Sequence, residues 1–273
     1  MNVYVRLSAA GVAEKYREDL DYRCGSLRQV LGRIRILSDA AIPVSLRVQP
    51  IIPGFEKSAL SMAEKAISVG AKHISFEYLK IAGEDSEVSL KAISKAIGSN
   101  IWNEMERRGL KRFGRDYSLA PDAKAEFVAK ARDLCHRLGA KFGAGDTEFI
   151  PYSDGHGCCS GAGHFLKRAN EFQTNFTGVI SQRMGRGPIR FSDLLTLWSP
   201  HHSIKTYLTT DSRKGDESGR YSNWVSLIAH RWNGTTSPYS PAFFAGVTWD
   251  GKYDSEGYKI YKFSDALRSG HAL

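Results

Sequence analysis

The chain has 273 residues, of which 42% are hydrophobic and 25% charged, so it can bury a sizeable core and does not have the composition of a disordered protein. Its formal net charge of +9 favours an anionic partner, such as a nucleic acid, a phosphate or a carboxylate cofactor, at long range. No apolar run approaches the ~20 residues of a membrane span, and the first residues lack the layout of a signal peptide, so a cytoplasmic location is expected.

Strands and helices alternate along the first part of the chain. Alternation of apolar and polar residues predicts strands at 3–7, 44–48, 73–79 and 141–145. Helical spacing of apolar residues predicts helices at 13–20, 26–39, 57–69, 85–109 and 121–138. Ser26 and Gln29 form a capping-box pattern at the start of the second helix. This order predicts parallel βαβ units and therefore an α/β fold.

The second strand leads into a stiff loop. Pro50, Pro53 and Gly54 follow it and are predicted to end the strand. Arg47 and Gln49 then lie near its carboxyl end, which is where open α/β sheets and barrels place the groups that contact ligands.

The composition changes beyond the fourth predicted strand. Residues 146–163 are small and polar, as in a long functional loop. Residues 165–180 are predicted to be helical, 181–222 are rich in Gly, Ser, Thr and Arg, and 223–263 contain three of the five tryptophans. We interpret 1–164 as one α/β unit and 165–273 as a carboxyl-terminal aromatic-rich extension or small module.

Residues 41–55 carry a resemblance to a known family. Ala41-Ile42-Pro43, the strand, the turn Pro50-Ile51-Ile52-Pro53-Gly54 and the helix and strand that follow resemble the later half of a radical S-adenosylmethionine (radical SAM) barrel. The chain is most similar to the spore photoproduct lyase and DNA-repair-photolyase-like branch, over about residues 2–160. The resemblance implies a partial (β/α) barrel of the TIM type. It also implies that S-adenosylmethionine and a 4Fe–4S cluster generate a 5′-deoxyadenosyl radical, which attacks an unknown substrate.

The same resemblance implies a set of cofactor-binding residues. Ser8 would contact the ribose and Arg47 the carboxylate of the cofactor, with Gln49, Pro50 and Glu77 at the same barrel mouth. Without the resemblance, Arg47 is more typical of a strand arginine that faces solvent or a helix carboxylate than of a ligand contact. Glu77, with Lys80 shortly after it, is either functional inside the barrel or paired on the helix side of the sheet.

The cluster that the resemblance implies requires three cysteine ligands, usually spaced Cys-x3-Cys-x2-Cys. The four cysteines, Cys24, Cys135, Cys158 and Cys159, do not have this spacing, and they are too few for a secreted disulfide framework. Either an upstream segment or a partner chain carries the ligands, or the protein is a degenerate member that has lost the chemistry. The start at a mid-barrel strand favours the first explanation.

The loop after the fourth strand contains residues of metal-ligand type, His156, Cys158, Cys159 and His164. They predict a metal or auxiliary cluster there, most directly at His156, Cys158 and Cys159. A substrate-contacting thiol, or a tight turn built from small residues, would explain the same pattern. Cys135 lies beside Leu134 on an apolar helix face and is expected to be a core residue.

Basic and aromatic residues are interleaved in the carboxyl-terminal part. Guanidinium groups bind phosphates and aromatic rings stack on bases, so this composition suits a single-stranded or damaged nucleic acid. It equally suits a solvated loop over an aromatic core. The alternative function is therefore a degenerate, non-catalytic barrel that binds nucleic acid through this basic part. The residues concerned are Arg183, Arg186, Arg190, Trp198, Tyr207, Tyr221 and Trp224.

Overall fold

A parallel sheet of four strands forms the centre of the computed structural model, which describes residues 2–20, 25–83, 86–113, 116–155, 159–166, 169, 176–197, 224–234 and 240–264. The strand order is β1-β2-β3-β7, and all three pairings are parallel. The strands are β1 (Val5–Gly11), β2 (Val44–Ile51), β3 (His73–Tyr78) and β7 (Lys141–Ala144). The predicted α/β class and parallel arrangement are confirmed. Among the described residues the sheet is open, with β1 and β7 at its edges, and a barrel stays a prediction.

Helices cover one face of this sheet. They are α2 (Leu27–Asp39), α3 (Glu56–Ser68) and α6 (Pro121–Arg137), and short elements precede them in α1 (Arg17–Leu20) and a 3-10 turn (Glu14–Tyr16). The capping box predicted for α2 is present, because the Gln29 N–H donates to Ser26 Oγ (3.3 Å) and the Ser26 N–H to Gln29 Oε1 (2.9 Å). Ile34 of α2 is completely buried, and burying one such side chain contributes about 1.5–3 kcal/mol.

Strand register separates the two faces of the sheet. Leu46 pairs with Leu7 and Ile74, and these apolar side chains face the helices. Phe76 and Tyr78 pack on Phe127 of α6, with ring centroids 5.5 and 5.4 Å apart. Because side chains alternate along a strand, the residues between them project from the opposite face. On that face lie Arg6, Ser8, Ser45, Arg47, His73, Ser75 and Glu77, which we call the polar face.

The prediction that Pro50 ends the second strand is wrong, because β2 continues to Ile51. The register shifts between Val48 and Ile51, and pairing resumes where Ile51 is the partner of both Gly11 and Tyr78. Pro50 lies within this irregularity, where the ladder does not require the N–H that proline lacks.

A small antiparallel sheet interrupts the alternation of parallel strands and helices. The region predicted as one helix over 85–109 contains two helices, α4 (Ser86–Ile97) and α5 (Ile101–Arg107), because Gly98 takes a left-handed φ of 69° and Asn100 caps a new start. Three short strands, which the sequence did not reveal, form a sheet in the order β4-β6-β5. They are β4 (Ile81–Ala82), β5 (Leu110–Phe113) and β6 (Asp116–Leu119).

The carboxyl-terminal part has its own hydrophobic cluster, which includes Ile189, Phe191, Trp232 and Tyr261. Of the helix predicted over 165–180, residues 176–180 are helical, Leu166 is extended after a first short helix, and 167–168 and 170–175 lie outside the described residues. The elements are α7 (Ala162–Phe165), α8 (Phe176–Arg183), α9 (Phe191–Leu197), α10 (Trp224–Asn233) and a hairpin of β8 (Val247–Tyr253) and β9 (Lys259–Phe263).

Two hydrogen bonds to the backbone of Ala245 join the two parts of the chain. The Ala245 N–H donates to the carbonyl of Glu148 (2.9 Å), and the hydroxyl of Tyr152 donates to the carbonyl of Ala245 (2.7 Å). Glu148 and Tyr152 belong to a 3-10 turn, Thr147–Tyr152, that follows β7. In the described part of the chain, no helix combines the length and the apolar composition needed to cross a membrane.

Candidate functional site

The amino-terminal half of the polar face is buried beneath the segment 159–164. His73 and Ser45 are completely buried, and Ser45 Oγ lies 2.8 Å from His73 Nδ1. Arg6 Nη2 donates to Ser75 Oγ (2.9 Å) and to the carbonyl of Cys159 (3.3 Å). These contacts attach the loop to the sheet.

The buried histidine is neutral. Burial, followed by the positive charge of Arg6 and by His164, lowers the pKa of His73 to about 3. Gly161 and Gly143 leave room for the ring, since a Cβ at Gly161 would lie 2.6 Å from its Cδ2 and one at Gly143 2.8 Å from its Nε2. The Ser45–His73 pair resembles a nucleophile and its base, but both members are enclosed and the histidine is a poor base. We therefore assign this half of the face to stability.

The carboxyl-terminal half of the polar face is open and charged. Glu77, whose side chain is 8% exposed, accepts from two cations, each on a different oxygen. Lys80 Nζ donates to Oε1 (2.7 Å), and Arg47 Nη2 donates to Oε2. The side chains of both cations are 32% exposed. Ser8 is the register partner of Arg47 on β1 and is exposed.

Ser8 and Arg47 therefore project from adjacent parallel strands on the same face, as the resemblance implies for neighbouring cofactor contacts. The ion pairing that one of the two alternatives predicts for Glu77 is present, with Arg47 and Lys80, but it lies on the face away from the helices. Gln49 and Pro50 are half-buried at the irregular end of β2, beyond Arg47.

A second charged cluster lies behind the first. Lys124 of α6 is buried, and its Nζ lies 3.1 Å from Asp146 Oδ1 and also contacts Glu148 Oε1. Asp146 Oδ2 in addition accepts the N–H of Tyr78 at 3.0 Å. The sequence analysis placed Asp146 and Glu148 only within the loop 146–163, and it did not identify Lys124. The residue had no visible signal, because a lysine on an amphipathic helix is ordinarily exposed.

Of the metal ligands predicted in the loop, His156 and Cys158 lie outside the described residues, as does Cys24. Cys159 is half-buried. His164 Nε2 lies 2.9 Å from the carbonyl of Asp154, in a contact within the loop. No group of three or more His, Cys, Asp or Glu suited to a metal ion occurs among the described residues.

Cys135 is a core residue, as predicted. It is completely buried, and that burial, with a contribution from Asp154, raises the pKa of its thiol to about 12. Cys135 is therefore not a thiolate at neutral pH and has no access to a ligand.

The basic residues predicted to contact nucleic acid have different environments. Arg183 donates to the carboxylate of Asp193, whereas Arg186 and Arg190 are exposed. Trp224 is the first residue of α10. Trp198, Tyr207 and Tyr221 lie outside the described residues.

Comparison with known proteins gives no further assignment. The chain matches no family model, no curated protein and no solved structure. The candidate site is therefore the open half of the polar face, where Ser8 and Arg47 are neighbours on adjacent strands and where Arg47 and Lys80 both contact Glu77.

Proposed function

We propose that the open half of the polar face binds S-adenosylmethionine and that this chain is the cofactor-binding part of a radical SAM enzyme. The observation that supports the proposal best is the pairing of Ser8 with Arg47 across adjacent parallel strands. A hydroxyl and a guanidinium side by side match two chemically different parts of this cofactor, its ribose and its carboxylate.

The environment of Arg47 suits a ligand carboxylate. Its side chain is one-third exposed while it contacts Glu77, so the guanidinium is held in place by one of its donors and other donors remain for a ligand. Charge-assisted, bidentate bonds between arginine and a carboxylate are both strong and geometrically selective. The chain's own residues would thus bind and orient the cofactor.

The 4Fe–4S cluster of this family does not fit the residues present. Cys135 is enclosed in the core, and the four cysteines do not have the three-ligand spacing. The described segments contain no group of three or more His, Cys, Asp or Glu residues that could take the place of the three cysteine ligands. Bound S-adenosylmethionine supplies a radical only beside such a cluster, so we derive no catalytic step here, and the proposal requires cluster ligands from outside this chain.

Calorimetric titration with S-adenosylmethionine tests the proposal. We expect the wild type to bind and Arg47→Ala to bind about 10–100-fold more weakly, because a hydrogen bond to a charged group contributes about 1.5–3 kcal/mol. Arg35→Ala, which removes an exposed arginine of α2, is the matched control and should bind like the wild type. Absence of binding by the wild type, or unchanged binding by Arg47→Ala, would overturn the proposal.

A second candidate function, nucleic-acid binding, is favoured by one feature of the carboxyl-terminal part. Ile189 pairs with Tyr261 of β9, which brings exposed Arg186 and Arg190 close to the hairpin. The hairpin exposes Trp249 (44%) and Tyr253 (54%), with ring centroids 5.3 Å apart. Exposed rings near arginines could stack on bases whose phosphates contact the guanidinium groups.

The charge of the hairpin makes this function the second choice. Residues 247–263 contain three lysines and three acidic residues, so the hairpin itself does not attract phosphate. Fluorescence anisotropy with single-stranded DNA tests the idea. Binding should weaken as salt increases, and Trp249→Ala should reduce it further. Equal binding by Trp249→Ala and the wild type would exclude this surface.

A further inference from the structure

We infer that Lys80 is a second cationic contact for the carboxylate of the ligand, and that Glu77 is the positioning residue that holds Lys80 and Arg47 together. The inference rests on the proposed function, because it assigns the recognition of one part of the proposed cofactor. It changes the role expected for Glu77 from a ligand contact to a residue that acts through its neighbours.

The hydrogen bonds of Glu77 support this role. One carboxylate oxygen accepts from Lys80 at 2.7 Å and the other accepts from Arg47, so both oxygens contact cations of the chain itself. Glu77 is nearly buried, and its position is fixed by its strand. The two cations lie further towards solvent, with 32% of each side chain exposed. A ligand approaching from solvent would meet the cations before it met the carboxylate.

The charge and the remaining donors of Lys80 suit a carboxylate. Two cations share the carboxylate of Glu77, while Asp146 and Glu148, which also act on Lys80, share Lys124. Burial works against the charged form of Lys80, but the hydrogen bond to Glu77 and the charges of Glu77, Asp146 and Glu148 outweigh it, so the pKa of Lys80 lies above its ordinary value. The ammonium uses one of its three donors on Glu77 in the contacts described, and a carboxylate ligand can accept from another.

Gly145, just after β7, provides the space in which Glu77 takes this position. A Cβ at Gly145 would lie 2.7 Å from Glu77 Cβ and 2.8 Å from Oε2, closer than non-bonded atoms approach each other. The end of β7 therefore determines where the carboxylate lies, and through it where Lys80 lies.

Two ligands separate this inference from the proposed function. S-adenosylmethionine carries the amino-acid carboxylate, whereas 5′-methylthioadenosine has the same adenosine and thioether without it. In calorimetric titrations, Lys80→Met should weaken binding of S-adenosylmethionine about tenfold or more and leave binding of 5′-methylthioadenosine unchanged. Lys80→Arg, which keeps the charge, should restore most of the affinity. Comparable urea midpoints for the variants would show that folding is intact.

The role of Glu77 requires the double variant. In a Glu77→Gln background, Lys80→Met should cost less than about threefold in affinity, because Lys80 is no longer held beside Arg47. The same cost in both backgrounds would overturn the positioning role.

The two failures are distinguishable. Wild-type protein that binds neither ligand would refute the proposed function. Wild-type protein that binds S-adenosylmethionine, with Lys80→Met binding it equally well, would refute only the role of Lys80.

Discussion

The parallel sheet and the carboxyl-terminal part are stabilised by cores of different chemistry. The core around the sheet is mainly aliphatic, as at Val44, Leu46 and Val48, with an aromatic group at Phe76, Tyr78 and Phe127. Aromatic residues make up a larger share of the core around α10, where Trp232 packs on Phe191 and Tyr261 with ring centroids 5.5 Å apart in both cases. In the core around the sheet, apolar residues recur along the sequence with the period of the strands and helices that carry them. The aromatic core is assembled from short elements and has no period to detect.

The largest expected effect comes from removing the centre of the aromatic core. Trp232 is completely buried, and its indole N–H donates to the carbonyl of Lys259 at 2.7 Å. Trp232→Ala should lower the free energy of unfolding by about 3–5 kcal/mol. If the two cores are separate cooperative units, hydrogen exchange should accelerate in β8 and β9 and stay slow in β2.

Trp249→Ala, at an exposed position of the same hairpin, is the control and should cost only about 0.5–1.5 kcal/mol, through its ring contact with Tyr253. Equal acceleration of exchange in β2 and in the hairpin of the Trp232→Ala variant would show that the two cores unfold together.

Acidification should destabilise the parallel sheet selectively. His73 stays neutral in the folded protein down to pH about 3, whereas in the unfolded chain it takes up a proton below pH about 6.5. The unfolded state therefore binds more protons between these values, and the free energy of unfolding should fall by about 1.4 kcal/mol per pH unit as the pH decreases through this window.

Urea denaturation of the wild type and of His73→Gln at several pH values measures this effect. Carboxylates titrate in the same window and contribute to both proteins, so the difference between the two slopes isolates His73. Identical slopes would show that His73 is not the source of the acid sensitivity.

The smallest expected effect comes from the side-chain cap at the start of α2. Ser26→Ala removes the side-chain cap of α2 and should cost about 1 kcal/mol of stability. Ser99→Ala, at an exposed serine between α4 and α5, should be nearly neutral in the same thermal denaturation assay. A loss below about 0.3 kcal/mol for Ser26→Ala would mean that packing alone fixes the start of α2.

The regions that could be predicted from sequence are those in which local and tertiary preferences agree. Ser26 and Gln29 marked the start of α2, and the alternation from Ile74 to Tyr78 placed Glu77 on the face opposite the aromatic rings. The strands β5 and β6 escaped prediction because four residues of mixed polarity, such as Leu110–Phe113, contain too little periodicity.

The candidate site was predictable in part, for a related reason. The resemblance implied that Ser8 and Arg47 act side by side, and the register of β1 and β2 makes them neighbours, although the first strand was predicted to end before Ser8. The contact between Glu77 and Lys80 could not be deduced. Lys80 lies beyond the end of β3, where the alternation of side chains along a strand no longer indicates to which face a residue points. Lys124 pairs with Asp146, which is 22 positions away, and such a contact has no local signature.

The contacts at Ala245 bear on how the two parts of the molecule can be separated by experiment. Truncation ahead of Pro241 would delete the carboxyl-terminal hairpin and would also leave the carbonyl of Glu148 and the hydroxyl of Tyr152 without their hydrogen-bond partner. Glu148 and Tyr152 belong to the 3-10 turn Thr147–Tyr152, which begins shortly after Gly145. Glu77 packs against Gly145. A shortened chain would thus perturb the open half of the polar face and the hairpin together, whereas side-chain substitutions within either core leave the hydrogen bonds at Ala245 in place.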